Sequence, residues 1–299
     1  MSAHPAGLLP TGRPVLVWGN CQAAPVASLL REPLAAHGCE VVDVPPVFEA
    51  DEADLVRVRE VLREGAALVS QPVRDEYHVA GCGTRQLAER LPSDALLVTF
   101  PVTYDTGPFP CSANGHGADG HRVVAPVTDY HDLRAITAAA RGLGLEEALA
   151  WWPAPPAETV RANAAASQAE LRRREDGLDV AASDLLGPTA MFTLSHPRNS
   201  VLAEVARRVL RVFGLDAEVV VPTREFLGER RAPVEQAVVE ALGWPAEVQS
   251  EDWVVRGVAV PRREVLAEQL DFYASRPDVV ADALHRYRVR LSALGLGPG

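Results

Sequence analysis

The segment "PVLVWGNCQAAPVASLL", Pro14 to Leu30, carries the clearest indication of the fold. Its first five residues, 14–18, have the unbroken apolar character of a buried strand, and an apolar helical pattern follows from Ala23. The letters Gly-Asn-Cys-Gln lie between them. A strand that passes directly into a helix is the first half of a β-α-β unit, the building block of parallel sheets. The stretch therefore predicts an α/β fold and puts one cysteine, Cys21, where strand becomes helix.

The first hundred residues repeat this alternation. Short apolar runs predict strands at 14–18, 39–44, 66–70 and 95–100, and helical patterns lie between them around 23–36, 53–64 and 84–91. Strands that alternate with helices predict a mainly parallel sheet flanked by helices. In such sheets ligands bind beyond the carboxyl ends of the strands. Residues that follow the predicted strands are therefore the first candidates for a functional site.

The rest of the chain is more mixed. A loop rich in Gly, Pro, Asn, Asp and His covers 101–128, a length more typical of a functional loop than of a linker. Helices are predicted at 130–141, 144–150, 158–176 and 197–214, and strands at 190–195 and 217–221. Apolar residues at spacings of four and three near the end indicate a helix that docks on the core or forms a dimer seam, with core packing favoured; they are Val280, Leu284, Tyr287, Leu291 and Leu294.

These patterns predict three parts of the chain. Residues 1–13 form a flexible N-terminus, and 14–214 form an α/β catalytic core that includes the long loop at 101–128. Residues 215–299 form a mixed α/β to helical C-terminal portion that packs on the core.

Composition excludes several classes of function. The 299 residues carry 29 cationic and 40 acidic side chains, a formal net charge of −11, and every cationic residue is Arg. The lack of Lys excludes Schiff-base chemistry and a Walker-type phosphate loop. An acidic chain without a basic tract is a poor ligand for nucleic acid or an anionic membrane. We therefore expect no nucleic-acid partner.

The cysteines and the N-terminus point to a reducing compartment. The four cysteines are far apart without CxxC pairs, and Cys111, His116 and His121 match no common zinc spacing. The first residues lack the pattern of a signal peptide, and no run reaches the roughly 18 apolar residues that span a bilayer. We expect a cytoplasmic protein without a metal ion and without membrane insertion.

Cys21 has two interpretations. A helix N-terminus offers partial positive charge and free backbone N–H groups, which favour a thiolate nucleophile. Gly19 would permit a sharp turn, and the N–H groups, with the side chains of Asn20 or Gln22, would form an oxyanion hole. Gln71, the first residue after the third predicted strand, belongs with this oxyanion or substrate set. The alternative is that Cys21 is a small buried hydrophobe.

Two histidines are candidates for the catalytic base. His196 lies where a predicted strand passes into a helix, with Pro197 suited to the first helical turn, so its ring would reach the carboxyl edge of the sheet. His131 lies at a helix start between two aspartates. The alternatives are that His196 only orders a turn and that His131 belongs to a helix-capping cluster. The third member of a triad is open among Asp129, Asp184 and Asn199.

Arginines near the sheet edge suit a phosphate-bearing ligand. Arg74 and Arg85 flank Tyr77 in the segment after the third predicted strand, and guanidinium groups match phosphate geometry. Tyr104, after the fourth, would line the same pocket. The alternatives are surface ion pairs with neighbours such as Asp75 for the arginines and a turn-forming role for Tyr104.

Six segments together resemble a known family. In order they are "VWGNCQ", "QPVRDEYH…GTRQL", "FPVTYDTGPFP", "DYHDL…GLGLEEAL", "DVAASDLL" and "MFTLSHPRNSVLAEVARRVL". Over residues 14–214 the chain resembles the WcbI family, polysaccharide-biosynthesis proteins to which acetyltransferase activity is ascribed. Ala190 stands where a larger residue is expected, the loop 111–125 looks private to this chain, and 215–299 is unmatched.

The resemblance implies a papain-like variant of the α/β fold, coenzyme A or acetyl-CoA as co-substrate, and transfer of an acetyl group to a sugar hydroxyl. Cys21 matches the motif cysteine, His196 matches the "HP" histidine, and Arg74 and Arg85 match the phosphate-binding groups.

The expected function is therefore a cysteine-dependent acyltransferase that moves an acetyl or other acyl group from acyl-CoA to a hydroxyl or amine of a sugar or natural-product acceptor. The alternatives are a thioester or amide hydrolase on the same fold and a non-catalytic protein that binds coenzyme A or carbohydrate. Direct transfer, with His196 activating the acceptor, and a homodimer are both compatible with the sequence.

Overall fold

The computed structural model describes residues 9–297 and divides them into two compact units. Unit 1 runs to Tyr104 and continues over Ala169–Ala190 and Ser195–Leu227. Unit 2 comprises Asp105–Gln168, Met191–Leu194 and the chain from Gly228 onward. The predicted catalytic core at 14–214 is thus shared between two units, because the contacts of 105–168 are made with the C-terminal helices, which sequence patterns do not reveal.

The secondary structure alternates through unit 1 and is mainly helical in unit 2. The strands are β1 Pro14–Trp18, β2 Glu40–Val42, β3 Ala67–Ser70, β4 Leu96–Thr99, β5 Ser112–Ala113, β6 Gly115–His116, β7 Arg122–Val123, β8 His131–Asp132, β9 Met191–Thr193, β10 His196–Pro197, β11 Arg230–Arg231, β12 Trp253–Val255 and β13 Val258–Val260. The α-helices are α1 Ala23–Ala36, α2 Glu52–Arg63, α3 Thr84–Ala88, α4 Leu133–Ala140, α5 Leu145–Trp151, α6 Ala157–Glu175, α7 Asn199–Val212, α8 Gln236–Leu242, α9 Arg262–Ser275, α10 Pro277–Arg286 and α11 Arg288–Ala293. Short 3-10 turns cover Ser183–Leu185 and Ala246–Val248.

Unit 1 is built on a four-stranded parallel sheet of order β2-β1-β3-β4. Alternate residues of β1 serve two cores, as the period of a strand requires. Val15 and Val17 pack with α1 and α7 on one face. Leu16 and Trp18 pack with α2 and α3 on the other. The predicted α/β class with a parallel sheet between helices is confirmed.

The N-terminal segment is held to unit 1 from its first described residue. Residues 1–8 of the predicted flexible segment lie outside the described residues. Leu9 is buried in the α1 side of the core, and the Gly12 N–H donates to the Gly38 carbonyl at 2.9 Å. The segment 9–13 is therefore packed against the core.

One predicted strand is absent. Residues 217–221 have no strand conformation, and Val220 is 60% exposed while Val219 is buried. The β-branched run pairs with no strand of the described chain and forms an extended connection that buries a single side chain. The helix before it ends as its sequence predicts, with Gly214 at a φ of +73° after the last turn.

Unit 2 packs its helices around a second core and carries short antiparallel ladders. Helices α4, α9, α10 and α11 surround this core, and β11, β12 and β13 form a three-stranded antiparallel sheet. The apolar pattern near the chain end lies inside it, since Leu291 and Leu294 are 1% and 4% exposed. The structure confirms core packing, the interpretation favoured for that pattern.

Candidate functional site

The turn between β1 and α1 holds Cys21 at the carboxyl edge of the sheet. Helix α1 begins at Ala23 with Gln22 in the capping position, so the half-buried Cys21 lies just before the helix. The Ala23 N–H donates to the Asn20 carbonyl at 2.9 Å, and the Gln22 N–H donates to Asn20 Oδ1 at 2.9 Å. Two hydrogen bonds that span Cys21 therefore fix the turn that carries it.

Position 19 must be glycine because the side chain of Gln71 occupies the space where a Cβ would lie. The φ of Gly19 is not positive, so the turn does not need glycine for a left-handed backbone. A Cβ built on Gly19 would overlap the side-chain amide of Gln71. Gln71 lies against the backbone there because its Oε1 accepts from the Asn20 N–H at 2.8 Å. Glycine thus lets the residue after β3 reach the turn after β1.

Gln22 joins this turn to two other segments of unit 1. Its buried Nε2 donates to the carbonyls of Thr103 and Ser195 at 2.7 and 2.8 Å, and its Oε1 accepts from the Thr103 N–H at 3.0 Å and from Gln71 Nε2 at 3.2 Å. Gln71 Nε2 also donates to the Pro101 carbonyl at 3.3 Å. These two glutamines, hereafter the glutamine clamp, hold together the turn after β1 and the ends of β3 and β4.

The clamp brings the segment of His196 to the segment of Cys21. Gln22 follows Cys21 in the chain, Ser195 precedes His196, and a hydrogen bond of 2.8 Å joins the two. His196 is half-buried and begins β10. Pro197 lies in that strand and not in the first turn of α7 as predicted, because the Arg198 N–H donates to the Ala190 carbonyl at 2.9 Å and keeps the chain extended until Asn199.

Most of the predicted oxyanion donors are used within the clamp. The Asn20 N–H, the Gln22 N–H and the Gln22 side chain each donate to groups of unit 1. Because Asn20 Oδ1 accepts from the Gln22 N–H, the amide orientation is fixed, and Nδ2 is the donor of Asn20 that the clamp does not use. Asn20 is partly exposed, so this amide is accessible.

The candidates for a third triad member all have other partners. Asp184 forms a two-pronged ion pair with Arg208 at 2.6 and 2.7 Å, and hydrogen bonding to Arg208 lowers the pKa of Asp184. Asn199 is buried and binds the backbone of 222–226. Asp129 belongs to unit 2 and pairs with Arg230 at 3.1 Å.

His131 lies in unit 2 with both ring nitrogens engaged. It is 1% exposed, its Nδ1 accepts from the Tyr273 hydroxyl at 2.7 Å, and its Nε2 donates to the Val123 carbonyl at 2.9 Å. Burial lowers the pKa of His131 and keeps the ring neutral. These contacts favour a structural role for His131. The cap of α4 is formed by its neighbour Asp132, whose Oδ1 accepts from the Arg134 N–H at 2.8 Å.

Most of the residues predicted to bind phosphate are exposed, and the charge of one of the two arginines is neutralised by ion pairs. Arg85 pairs with Asp75 and, at 2.9 Å, with Glu89, which agrees with the alternative of surface ion pairing. Arg74 lies over the ring of the exposed Tyr77, with its Cζ 5.4 Å from the ring centre. Tyr104 is half-buried at the end of the segment that carries Thr103.

Sequence reasoning missed Thr103. Both backbone polar groups of Thr103 bond to Gln22, so this residue fixes the amide orientation of the clamp. The available signal was positional, because Thr103 follows β4 at the edge of the sheet where ligands bind. Backbone recognition leaves no mark on residue type, and the pairing spans 81 positions.

Residues 9–297 contain no cluster of three or more His, Cys, Asp or Glu side chains placed to hold a metal ion. Within the same range, none of the helices has the length and apolarity that crossing a membrane requires.

This protein is an α/β protein with a cysteine turn at the carboxyl edge of its parallel sheet. Buried amides tie that turn to a strand-helix junction that carries a histidine. Its family follows from sequence: residues 14–218 match the profile of the polysaccharide biosynthesis enzyme WcbI, which covers the greater part of the chain. The protein belongs to the WcbI family of polysaccharide biosynthesis enzymes.

A solved structure of WcbI has the same fold. The two superpose with a TM-score of 0.79 at 18% sequence identity, over 95% of this chain and 98% of that chain. That structure is described as the native protein of a novel polysaccharide biosynthesis enzyme, without a disulfide bond between coenzyme A and one of its cysteines. At this identity the likeness concerns the fold. No curated protein sequence matches the chain.

Proposed function

We propose that this protein is a cysteine-dependent acyltransferase that moves an acetyl or other acyl group from acyl-CoA to a hydroxyl or amine of a sugar or natural-product acceptor. Cys21 is the nucleophile and His196 is the general base. The observation that carries the proposal is the 2.8 Å hydrogen bond from Gln22 Nε2 to the Ser195 carbonyl, which joins the neighbour of the thiol to the neighbour of the imidazole.

The first half-reaction forms an acyl-enzyme. His196 takes the proton of the Cys21 thiol, and the thiolate attacks the thioester carbon of acyl-CoA. The tetrahedral intermediate collapses with cleavage of the bond between that carbon and the coenzyme A sulfur. The leaving thiolate takes the proton from His196, which leaves an acyl group on Cys21 and free coenzyme A.

The second half-reaction delivers the acyl group. His196 accepts the proton of an acceptor hydroxyl or amine as its oxygen or nitrogen attacks the acyl-cysteine carbon. The bond to Cys21 Sγ breaks, and the sulfur recovers the proton from His196. The products are the acylated acceptor and the free thiol, so the enzyme returns to its starting state.

Asn20 stabilises the oxyanion in both steps. Its Nδ2 is not used by the glutamine clamp, and its Oδ1 is held by the Gln22 N–H at 2.9 Å. A donor whose orientation is fixed before the reaction stabilises the developing charge without reorganisation. Asn20→Asp keeps the acceptor for Gln22, removes the donor and adds a negative charge beside the oxyanion, so it should slow both half-reactions.

Coenzyme A as co-substrate is supported by the description of the similar WcbI structure, which associates coenzyme A with a cysteine of that protein. In this chain Arg74, beside Tyr77, is the better candidate for a phosphate contact, since Arg85 is already paired with two carboxylates. An arginine that stacks on a ring keeps its N–H donors for a phosphate.

The test is incubation with acetyl-CoA followed by intact-mass measurement. We expect an added mass of one acetyl group in the wild type and none in Cys21→Ala, with coenzyme A release lost in the same variant. Cys82→Ala is the matched control, because Cys82 is buried in the core of unit 1. A wild-type protein that gains no acetyl group, together with coenzyme A release unchanged in Cys21→Ala, would contradict the covalent scheme.

Product analysis separates transfer from hydrolysis. With a panel of sugars and small alcohols present, we expect an acetylated acceptor to accumulate at the expense of free acetate. An adduct that decays only to acetate with every acceptor would assign the protein to the hydrolases instead.

A further inference from the structure

Unit 2 contains a cavity of its own, walled by aromatic, apolar and charged side chains. The space open to the centres of water molecules is about 50 Å³. A single-water site needs roughly 10–15 Å³ by this measure, so the cavity exceeds it several-fold. The exposed residue Glu251 is part of the wall, so the cavity reaches the surface. Every lining residue belongs to unit 2.

Two buried polar atoms of the cavity wall have no partner among residues 9–297. They are Oε1 of Gln269 and Nε1 of Trp152. Gln269 is 2% exposed, and its Nε2 donates to the Tyr130 carbonyl at 3.1 Å and to Thr128 Oγ1 at 3.3 Å, which fixes the amide orientation. A buried acceptor and a buried donor without partners are costly unless something else supplies them. These two atoms are hydrogen-bonding capacity of the wall residues that the described protein leaves unused.

The position of Trp152 is fixed by charge. The guanidinium of Arg134 lies over its ring, 4.4 Å from the ring centre, and Arg134 is held in turn by Asp132 and Glu235 at 2.7 and 2.6 Å. Burial would raise the pKa of Glu235, but hydrogen bonds from Arg134 outweigh it and hold the pKa below its ordinary value, so the pair is charged at neutral pH. Arg134 therefore holds one face of the Trp152 ring by a cation–π contact.

The charge of the wall selects the class of ligand. The lining holds two arginines and three carboxylates, which are Arg134, Arg262, Asp132, Glu235 and Glu251, so the wall has a net charge of −1. This sum disfavours phosphates and other anions. The ring of Trp253 and the apolar side chains of Phe109 and Leu266 complete the wall and suit the C–H face of a ring-shaped molecule.

We propose that this cavity binds a neutral polyhydroxylated molecule of monosaccharide size, with one hydroxyl donating to Gln269 Oε1 and another ligand oxygen accepting from Trp152 Nε1. Aromatic and apolar walls with a few oriented polar groups are typical of small-molecule sites. The proposal concerns binding alone, so it stands or falls independently of acyl transfer at Cys21.

The test is a titration of the ¹⁵N-labelled protein, observed at the indole N–H signals of its five tryptophans. The probes are methyl α-D-mannopyranoside, methyl α-D-galactopyranoside, methyl β-D-glucopyranoside and myo-inositol, each up to about 20 mM, beyond the range of weak specific binding. We expect at least one probe to shift the Trp152 signal in a saturable way. Coenzyme A in the same titration should leave that signal in place.

Two variants and a control locate the contacts. Trp152→Phe keeps an aromatic ring under Arg134 and removes the donor, while Gln269→Leu removes the acceptor. Each should weaken binding of the responsive probe about tenfold or more, measured in both variants at the indole signal of Trp253 in the same wall, because a ligand hydroxyl then stays unpaired. Trp151→Phe, next in the chain and outside the cavity wall, should leave the affinity unchanged.

The proposal is overturned if no probe shifts Trp152, if coenzyme A shifts it and the sugars do not, or if affinity survives in both Trp152→Phe and Gln269→Leu. The Trp151→Phe titration shows whether a loss of binding follows from the removed contact or from general damage to the helix region.

Discussion

The two units use buried glutamines in opposite ways. In unit 1, Gln22 and Gln71 have every side-chain polar atom hydrogen-bonded to the protein. In unit 2, Gln269 uses only its amino group, and its Oε1 has no partner among the described residues. The side-chain amide is the same in all three residues, but the number of hydrogen bonds that its surroundings provide differs.

A buried amide of the framework can be told from one of a binding surface by whether all of its polar atoms are hydrogen-bonded to the protein. A fully bonded amide holds segments together and has nothing left for a ligand. An amide with one oriented and unused atom can meet a ligand at once, and its energy cost is recovered only on binding. By this criterion the glutamine clamp holds the segments of Cys21 and His196 in place, whereas Gln269 has an atom available to bind the proposed ligand.

The two histidines should differ most in their effect on kcat/KM. His196→Gln should lower kcat/KM for coenzyme A release from acetyl-CoA by about 10²–10⁴-fold, since general base catalysis is lost. His131→Gln should change it less than about tenfold, because both nitrogens of His131 serve unit 2. Steady-state kinetics with thermal melts of each variant measure this. Equal losses in the two variants would remove the basis for assigning the base to His196.

The next effect contrasts the glutamines themselves. Gln22→Leu should lower the free energy of unfolding by about 3 kcal/mol or more, because it strands the polar groups of Thr103 and Ser195. Gln269→Leu should cost about 1 kcal/mol, since Thr128 Oγ1 still donates to the Tyr130 carbonyl at 2.7 Å. Urea unfolding of both variants gives the comparison. A Gln269→Leu variant as unstable as Gln22→Leu would show that Gln269 belongs to the framework after all.

A smaller effect is expected at Gly19. Gly19→Ala places a methyl group against Gln71 and should cost about 1–3 kcal/mol by overpacking. Removing the clash with Gln71→Ala in the same chain should make the two changes non-additive in a double-mutant cycle. Gly187→Ala is the control, because a Cβ there has open space. Additive costs at Gly19 and Gln71 would mean that the glycine serves another purpose.

The smallest effect is a change in pH dependence. Because burial lowers the pKa of His131, the unfolded chain binds more protons than the native protein as the pH falls below about 6.5. The stabilisation from the neutral ring is therefore complete above that pH and lost as the pH falls towards the folded pKa. Urea unfolding at pH 7.5, 6.5 and 5.5 should show a shallower decline in His131→Gln than in the wild type. An unchanged decline would indicate that His131 does not titrate on unfolding.

Sequence patterns located the parts of the site that depend on local order. The bounds of β1 and α1 agree with the predicted 14–18 and 23–36, because apolar period and helix propensity act over a few residues. The position of Cys21 between them follows directly. The parallel sheet follows in the same way from the alternation of strands and helices.

The remainder depends on partners distant in the chain. The link from Gln22 to Ser195 spans 173 positions, and the space occupied by Gln71 beside Gly19 is invisible in either segment alone. The run at 217–221 has the residue types of a strand, but a strand also needs a partner, and this run pairs with none among the described residues. The division into two units likewise depends on contacts between 105–168 and the C-terminal helices.

The packing of α1 against α7 has a consequence for synthesis on the ribosome. Both helices cover the same face of the sheet, yet the ribosome reaches the end of α7, at Val212, long after α1 and all four strands have emerged. At about 5–20 residues per second, the part of that face that α7 covers stays exposed for roughly 6–20 seconds. Nascent chains of this protein therefore expose part of an apolar sheet face, which a chaperone can bind until α7 has emerged.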